Sequence, residues 1–261
     1  RSFSAAGGET LVEMTPINPT TYWMVLEVGN MVEELGLRAG QFLHVACGEA
    51  NLLRRPISVA LAYPDEPEDT AALIFEVKGE GTRWLARRQV GDTVDVLGPL
   101  GNGFAVENGG RYLLVGGGIG TPPLLGYAEA FRQNAVAVLG FRSADRVILE
   151  ERYREACKEV YLCTDDGSAG RHGFVDAQVR DILEKDKNFT AILACGPRPM
   201  LKSVAAVAAE FGVPCQVSME ERMACGVGAC LGCAIQMADG TMQHVCKDGP
   251  VFDAGEVDWN V

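Results

Sequence analysis

The chain has 261 residues, 48% of them hydrophobic, which is enough for two compact domains and a small appended unit. Its 23 basic and 35 acidic residues give a net charge of −12, which argues against nucleic acid or an anionic membrane as a partner. No stretch approaches the roughly 18 apolar residues of a membrane-spanning helix, and the first residues lack a signal-peptide pattern. Several cysteines are scattered among apolar residues, as is typical of a reducing compartment, and we therefore expect a cytoplasmic protein.

The first hundred residues read as short strands separated by turns. Tyr22, Met24, Leu26 and Val28 alternate with Trp23, Val25 and Glu27, and similar runs occupy 40–46, 72–77 and 93–97. Several short strands at this spacing predict a small antiparallel barrel over residues 1–100.

One extended segment of the barrel has the residues of a cofactor site. Arg55 offers a planar guanidinium that suits pyrophosphate oxygens, Pro56 and Ile57 are stiff and apolar, and the Ser58 hydroxyl can reach the edge of a flavin ring. The alternative is a surface strand with two exposed arginines, Arg54 and Arg55.

A second candidate segment follows the strand at 72–77. Lys78, Gly79, Gly81 and Thr82 precede a helix predicted over 83–88, where backbone N–H groups can face an anion. A plain turn with Thr82 as the helix N-cap explains the same residues.

Residues 101–215 alternate between strand and helix. Buried-type strands are predicted at 112–115, 135–141, 160–164 and 191–195. Helices are predicted from Pro122 and over 144–158, 175–184 and 199–211. Repeated β–α units predict a parallel sheet with helices on both faces and ligands at the carboxyl ends of its strands.

The loop after the first of these strands is rich in glycine. Gly116, Gly118 and Gly120 lead into Thr121, a candidate N-cap that is followed by Pro122. Thr121 stands where a dinucleotide fingerprint has its third glycine. The second strand, which ends near Phe141, is also not followed by the acidic residue that this fingerprint requires. The loop therefore predicts a phosphate-bearing ligand at a helix N-terminus, without naming the nucleotide.

Two further loops are expected at the same edge of the sheet. Asp165 and Asp166 follow one strand, and their carboxylates can accept ribose hydroxyls. Cys195, Gly196 and Pro197 form a sharp bend that places a thiol at a strand end. A small buried hydrophobic residue is the alternative interpretation of Cys195.

The most specific motif lies in the last 46 residues, 216–261. Cys225, Cys230, Cys233 and Cys246 have the spacing C-x4-C-x2-C-x12-C, and the first three match the plant-type arrangement around a [2Fe-2S] cluster. Intervening glycines let the backbone fold tightly and direct N–H groups at cluster sulfurs. Zinc is the competing metal, although its structural sites favour two similar C-x2-C knuckles. His44, His172 and His244 have no ligand-like spacing, and none is assigned catalytic work.

Together these pieces resemble the ferredoxin-reductase superfamily with an iron–sulfur tail. More narrowly, the chain resembles the electron transfer subunits of class 1B dihydroorotate dehydrogenase, in the segments 53–58, 98–104, 223–230 and 245–254. The resemblance implies a flavin-binding barrel (residues 1–100), an NAD-binding α/β domain (101–215) and a [2Fe-2S] domain (216–261).

The resemblance also implies the cofactor sites. FAD would be held by Arg55 to Ser58, where Ile57 replaces the aromatic residue of many superfamily members, and by Lys78, Gly79, Gly81 and Thr82. Residues 116–121, Asp165, Asp166 and the Cys195-Gly196-Pro197 bend would line the NAD site, with Cys195 as the catalytic-site thiol. The four motif cysteines would bind the cluster.

The implied activity is electron transfer to NAD+. A separate FMN-containing catalytic subunit, in a heterotetramer, would oxidise dihydroorotate and pass electrons through the cluster and FAD.

The alternatives are the flavin subunit of a bifurcating NADH-dependent ferredoxin:NADP oxidoreductase, of a hydrogenase or of a sulfide dehydrogenase, and a nonenzymatic zinc-binding protein. Four cysteine ligands and the tail at 247–254 favour the dihydroorotate dehydrogenase subunit. Arg142 and Ser143 can in principle meet the 2′-phosphate of NADP, but the resemblance implies NAD.

Overall fold

The computed structural model of the protein describes residues 5–64 and 68–260. Within them, six strands close into an antiparallel barrel in the order β1-β2-β5-β4-β3-β6. These strands are β1 (Ala5–Asn18), β2 (Thr21–Glu27), β3 (Phe42–Val45), β4 (Arg55–Tyr63), β5 (Thr70–Glu76) and β6 (Thr93–Leu100). The alternation predicted from the sequence is present in β6, where Val94 and Val96 point into the barrel core and their neighbours are exposed or partly exposed. The antiparallel barrel is therefore confirmed.

A second sheet of seven strands in the described part of the chain has the order β10-β9-β8-β7-β11-β12-β15. Its strands are β7 (Tyr112–Gly117), β8 (Ala135–Phe141), β9 (Glu159–Thr164), β10 (Arg171–His172), β11 (Ala191–Cys195), β12 (Cys215–Ser218) and β15 (Val251–Asp253). All neighbours pair in parallel except β15, which runs antiparallel to β12. The C-terminal segment thus supplies the last strand of the nucleotide-domain sheet.

Helices cover both faces of this sheet, as the sequence predicts. The helices around the sheet are α2 (Pro122–Phe131), α3 (Glu150–Ala156), α4 (Val175–Lys185) and α5 (Arg198–Phe211). A further short helix, α1 (Glu80–Leu85), connects the barrel strands β5 and β6. Leu113 and Val115 of β7 pack in one core with α4 and α5, whereas Leu114 packs in another core with α2 and α3. No helix among the described residues is both long and apolar enough to cross a membrane.

Two helices differ from their predicted bounds. The helix predicted over 144–158 is a 3-10 turn at Ala144–Arg146 followed by α3, because Leu149 adopts a left-handed backbone conformation with φ of 62°. The helix predicted over 83–88 begins earlier, with Gly79 rather than Thr82 at the N-cap.

The C-terminal segment also contains a small hairpin of β13 (Ala234–Gln236) and β14 (Met242–His244). Its buried residues, including Cys233, Ile235 and Cys246, belong to the same apolar core as α4 and α5. The cluster motif is therefore packed against the nucleotide domain. The division of the chain at residues 100 and 215 stays a prediction.

Candidate functional site

A cavity of about 500 Å3 has walls from both the barrel and the parallel-sheet domain. Barrel strand β4 and the loop after β5 form one side, while the ends of β11 and β12 and the segment before the first motif cysteine form the other. Of the residues that the sequence assigns to FAD, seven line this cavity: Arg55, Pro56, Ile57, Ser58, Lys78, Gly79 and Thr82. The predicted barrel-side residues are therefore brought together.

Arg55 and the loop after β5 both line this cavity and are in contact with each other. A Cβ atom on Gly81 would stand 3.0 Å from Arg55 Nε, so the guanidinium packs directly against the glycine backbone. The hydroxyl of Thr82 accepts the backbone N–H groups of Lys78 and Gly79 at 2.9 and 3.1 Å. Thr82 therefore fixes the shape of the loop, and Arg55 offers a planar cation to phosphate oxygens.

Ser58 and Cys195 line the same cavity from different domains, Ser58 from the barrel and Cys195 from the parallel sheet. Cys195 is 3% exposed. Burial, with a smaller contribution from the Glu220 carboxylate, raises the pKa of its thiol to about 12. Cys195 is therefore a neutral thiol at physiological pH, suited to pack against a bound ring rather than to act as a nucleophile.

A second cavity, of about 400 Å3, lies at the carboxyl ends of the parallel strands, where ligands bind in sheets of this type. Of the predicted nucleotide-site residues, Gly117, Gly118, Asp165 and Pro197 line it. Additional lining residues come from the strand ends and from the N-terminal parts of α4 and α5, among them Phe141, Arg142, Phe174, Asp176, Met200 and Ser203. Phe174 leaves 68% of its surface exposed there.

The glycine loop supports this cavity by packing tightly against β11. A Cβ atom on Gly120 would stand 2.5 Å from the Cys195 carbonyl oxygen, so a larger residue does not fit without displacing the strand end. Gly116 packs in the same way on Thr121, and Gly196 packs on Gly117 and Met200. Thr121 is fully buried and occupies the predicted N-cap position before Pro122 at the start of α2, but its hydroxyl makes no capping hydrogen bond among the described residues.

The two aspartates of the predicted ribose site are separated by the structure. Asp165 lines the second cavity. Asp166 instead accepts hydrogen bonds from the backbone N–H and the hydroxyl of Ser168, at 2.9 and 2.6 Å, and these bonds lower the pKa of its carboxyl group. Asp165 is thus available to a ligand, and Asp166 shapes the loop.

The cluster loop, residues 225–233, turns its backbone N–H groups toward cysteine sulfurs. In the described residues, five of these groups and the backbone N–H of Cys246 lie 3.1–3.5 Å from a motif sulfur. The donors are Val227, Ala229 and Cys230 to Cys225, Gly228 to Cys246, Gly232 to Cys230, and Cys246 to Cys233. Hydrogen bonds of this kind stabilise thiolates and the added charge of a reduced iron–sulfur cluster.

The four thiols are arranged as two pairs. Cys225 has the Cys230 thiol as a hydrogen-bonding neighbour, and Cys246 has Cys233. Partial burial raises the pKa of Cys225, but N–H groups of Cys230 and Val227 outweigh it and lower that pKa to about 6, whereas burial raises the pKa of Cys246 to about 12. Among the described residues, no three His, Cys, Asp or Glu side chains are arranged around a single metal ion. Two pairs fit a two-iron cluster with four thiolate ligands.

The comparisons with known proteins agree with this site. Residues 220–258 match the family described as the iron-sulfur cluster binding domain of dihydroorotate dehydrogenase B, and residues 114–206 match the oxidoreductase NAD-binding domain. The dihydroorotate dehydrogenase B (NAD(+)) electron transfer subunit of Bacillus caldolyticus is 44% identical over 260 residues, which cover 95% of this chain and 96% of the relative. The chain belongs to this family of electron transfer subunits. The subunit of Geobacillus thermodenitrificans is equally similar, with 44% identity and the same coverage.

Membership in this electron transfer subunit family confirms the family predicted from the sequence. It also confirms a flavin iron–sulfur oxidoreductase subunit with FAD, a [2Fe-2S] cluster and NAD as cofactors. Among solved structures, the NADH-dependent reduced ferredoxin-NADP oxidoreductase studied for flavin-based electron bifurcation has a chain that is 33% identical. It matches 98% of this chain and 91% of that one, with a TM-score of 0.85. The ferredoxin reductase of carbazole 1,9a-dioxygenase, 20% identical with a TM-score of 0.67, shares the fold.

Sequence patterns missed one wall of the flavin-sized cavity. Ser218, Met219, Glu220, Glu221, Met223 and Pro250 line it from the C-terminal part of the chain. Burial raises the pKa of the Glu220 carboxyl group, and nearby Lys78 opposes this shift. Only their place in the chain could have drawn attention to these residues, because they lie near a strand end or beside the cysteine motif. No spacing rule connects them with Ser58.

Proposed function

We propose that this chain connects an FMN-containing dihydroorotate dehydrogenase catalytic subunit with NAD+. The catalytic subunit oxidises dihydroorotate to orotate, and the two electrons leave through the cluster and FAD of this chain to reduce NAD+ to NADH. The assembly is a heterotetramer of two subunits of each kind. All nine cysteines, which lie within the described residues, are free, in keeping with a cytoplasmic location.

A single observation carries the proposal: one cavity is lined by Ser58 of the barrel, Cys195 of the nucleotide domain and Met223 near the cluster. Met223 is two residues before the first motif cysteine. A flavin in this cavity would therefore contact the segments that hold its two redox partners. FAD, when bound, supplies the exchange between hydride transfer and single-electron transfer.

The barrel residues bind and orient this cofactor. Arg55, held against Gly81, would pair with the pyrophosphate, and the Lys78–Thr82 loop would follow the phosphates. The hydroxyl of Ser58 would face the ring edge. Ile57 is 6% exposed and packs mainly in the barrel core, so it stiffens the strand beneath the cofactor more than it stacks on the ring.

The second cavity would hold the adenosine end of NAD. Asp165 and Asp176 contribute carboxylates to it, beside the single cation Arg142 among its lining residues. A carboxylate accepts a hydrogen bond from the ribose 2′-hydroxyl and repels a 2′-phosphate, which supports NAD rather than NADP as the nucleotide. The neutral Cys195 and the tight Gly116–Thr121 loop would position the nicotinamide at the first cavity, where Ile119 and Pro123 also lie.

The cluster loop would face the catalytic subunit. Cys230 is exposed, and the neighbouring Val227 and Leu231 leave 46% and 61% of their surfaces open. Leu231 adopts φ of 60°, an uncommon conformation for a leucine, and it places an apolar side chain next to a cluster ligand on the surface. An exposed apolar patch beside a one-electron carrier suits a docking surface through which electrons pass. We extend the proposal to the domain limits 1–100, 101–215 and 216–261.

The test uses the anaerobically purified chain, alone and with an FMN-containing catalytic subunit. Alone, it should contain FAD and two iron atoms per chain and be bleached by NADH. The complex should reduce NAD+ with dihydroorotate, and a Leu231→Glu variant should keep both cofactors but lose this coupled activity. A colourless chain containing zinc, or a complex without coupled activity, would contradict the proposal.

A second candidate rests on the bifurcating oxidoreductase structure, which this chain resembles over 98% of its length. That function would require electron exchange between ferredoxin and NADP, together with NADH, in a complex with a different partner. The four cysteine ligands favour the first proposal. Coupled assays with dihydroorotate and with ferredoxin distinguish the two.

A further inference from the structure

His44 is a buried histidine for which the barrel provides no hydrogen-bond partner. It lies in β3 and is 1% exposed, and neither ring nitrogen has a partner among the described residues. The nearby guanidinium of Arg54 donates to the backbone carbonyl of His44, at 3.2 Å, and not to its ring. Because an unpaired buried polar group costs about 1–3 kcal/mol, an imidazole at this position implies a partner that the polypeptide alone does not supply.

The His44 ring faces the cluster loop. A Cβ atom on Gly226 would stand 2.7 Å from His44 Nδ1, so the ring and the Gly226 backbone are in close contact. Gly226 has φ of 72° and directly follows Cys225. The loop approaches the imidazole closely only because this residue lacks a side chain.

The same histidine adjoins the flavin-sized cavity. His44 pairs in register with Pro56 of β4, and Pro56 lines that cavity. Residues directly opposite in an antiparallel pair present their side chains on the same face of the sheet. His44 therefore lies at the boundary between the barrel strand that would hold FAD and the loop that would hold the cluster.

We propose that His44 is a positioning residue for the [2Fe-2S] cluster, donating its ring N–H to a sulfur at the Cys225 side of the cluster. This inference rests on the cluster site proposed above. The bond would give the buried imidazole its missing partner and would add one side-chain donor to the six backbone donors. A hydrogen-bond donor stabilises the additional negative charge of the reduced cluster. His44 therefore raises the reduction potential of the cluster and makes electron transfer from the partner subunit more favourable.

Three variants of the full chain test this role. His44→Leu removes both nitrogens and keeps an apolar side chain, whereas His44→Asn retains a donor near the position of Nδ1. His172→Asn is the control, because His172 lies in β10, among the nucleotide-domain strands. The cluster potential is measured by redox titration followed by electron paramagnetic resonance, and the FAD potential by visible absorbance.

We expect His44→Leu to lower the cluster potential by at least a tenfold change in the reduction equilibrium, about 59 mV for one electron. The FAD potential should change much less. His44→Asn should recover most of the loss, and His172→Asn should match the wild type. Equal cluster potentials in the wild type and His44→Leu would overturn the inference.

A measurement on chains that retain His44 covers the case in which its variants fail to fold. Protein containing ring-15N histidine is reduced, and pulsed electron paramagnetic resonance detects 15N coupled to the cluster. The coupling should persist in His244→Asn, which removes the histidine near Cys246. Its absence from both chains would overturn the role of His44, whereas a wild-type chain without a [2Fe-2S] signal would refute the proposed cluster site itself.

Discussion

The backbone N–H of Gly228 donates to the sulfur of Cys246 at 3.1 Å, joining the glycine-rich loop to the one motif cysteine that lies outside it. Gly228 has φ of 79°, and a Cβ atom there would stand 2.6 Å from the side chain of Lys247, the residue after Cys246. The loop and the distant cysteine are thus held together at a point where the backbone conformation and the close packing favour glycine.

Gly228→Ala should therefore weaken cluster binding. The substitution adds roughly 1–2 kcal/mol of backbone strain and displaces either the N–H group or Lys247. We expect at least a twofold loss of iron and sulfide per chain and faster loss of the cluster to a chelator. Gly240→Ala is the matched control, because Gly240 has φ of 83° but no heavy atom of the described residues within 4 Å of the added Cβ. Equal iron contents in the two variants would show that the contact with Lys247 is unimportant.

Arg55 and Arg54 are neighbours with different partners, which allows a test of the FAD site. Arg55→Lys keeps the positive charge but loses the planar fork that suits pyrophosphate, so the dissociation constant for FAD should rise at least tenfold. Arg54→Lys should change it less than threefold, because Arg54 pairs with Asp95 at 2.6 Å instead. FAD binding to deflavinated protein is measured by flavin fluorescence. Similar losses in both variants would argue against a specific role for Arg55.

The local parts of this protein were predictable from sequence. Strand alternation predicted the barrel, and the cysteine spacing predicted an iron–sulfur domain in the region that the family match covers, since each signal spans a few residues. The assignment of Cys225, Cys230 and Cys233 as ligands stays a prediction. The helix predicted over 144–158 was wrong in its first half because the left-handed conformation of Leu149 has no signature in an apolar periodicity.

The non-local parts were not predictable. Glu220 and Met223 join Ser58 at one cavity only because β12 and the segment after it lie beside the barrel in the folded chain. His44 was set aside because it had no ligand-like spacing, and its contact with Gly226 spans 182 residues of sequence. Asp165 and Asp166 look equivalent in sequence, yet two hydrogen bonds from Ser168 hold Asp166 in the loop, whereas Asp165 lines the second cavity.

This difference between the two aspartates predicts nucleotide preference. Asp165→Asn removes the negative charge that would meet a 2′-phosphate, so the ratio of kcat/KM for NADPH to that for NADH should rise about tenfold, equivalent to roughly 1.4 kcal/mol. Asp166→Asn should leave the ratio unchanged, since its carboxylate is bound to Ser168. Steady-state oxidation of both nucleotides, with an artificial electron acceptor, measures the ratios. A larger change in Asp166→Asn would reverse the two roles.

Buried thiols predict how stability depends on alkaline pH. Burial raises the pKa of Cys157, Cys195 and Cys215 to about 12, and that of Cys163 to about 11. The folded chain keeps these protons while the unfolded chain releases them above about pH 9. Their contribution to stability is therefore fully present below about pH 9 and is lost between about pH 9 and pH 12, at up to about 1.4 kcal/mol per pH unit for each thiol.

Cys157→Ala tests this expectation at a site outside both cavities, at the C-terminal end of α3. The variant should unfold at a lower temperature than the wild type at about pH 8, because a buried side chain is lost. Between about pH 8 and pH 10, however, its midpoint should fall less than that of the wild type, since one thiol no longer ionises on unfolding. Thermal unfolding of the cofactor-loaded chains, followed by circular dichroism at matched heating rates, gives both differences. If the two midpoints fall in parallel, Cys157 ionises with the same pKa in the folded and unfolded chains, and alkaline instability has another source.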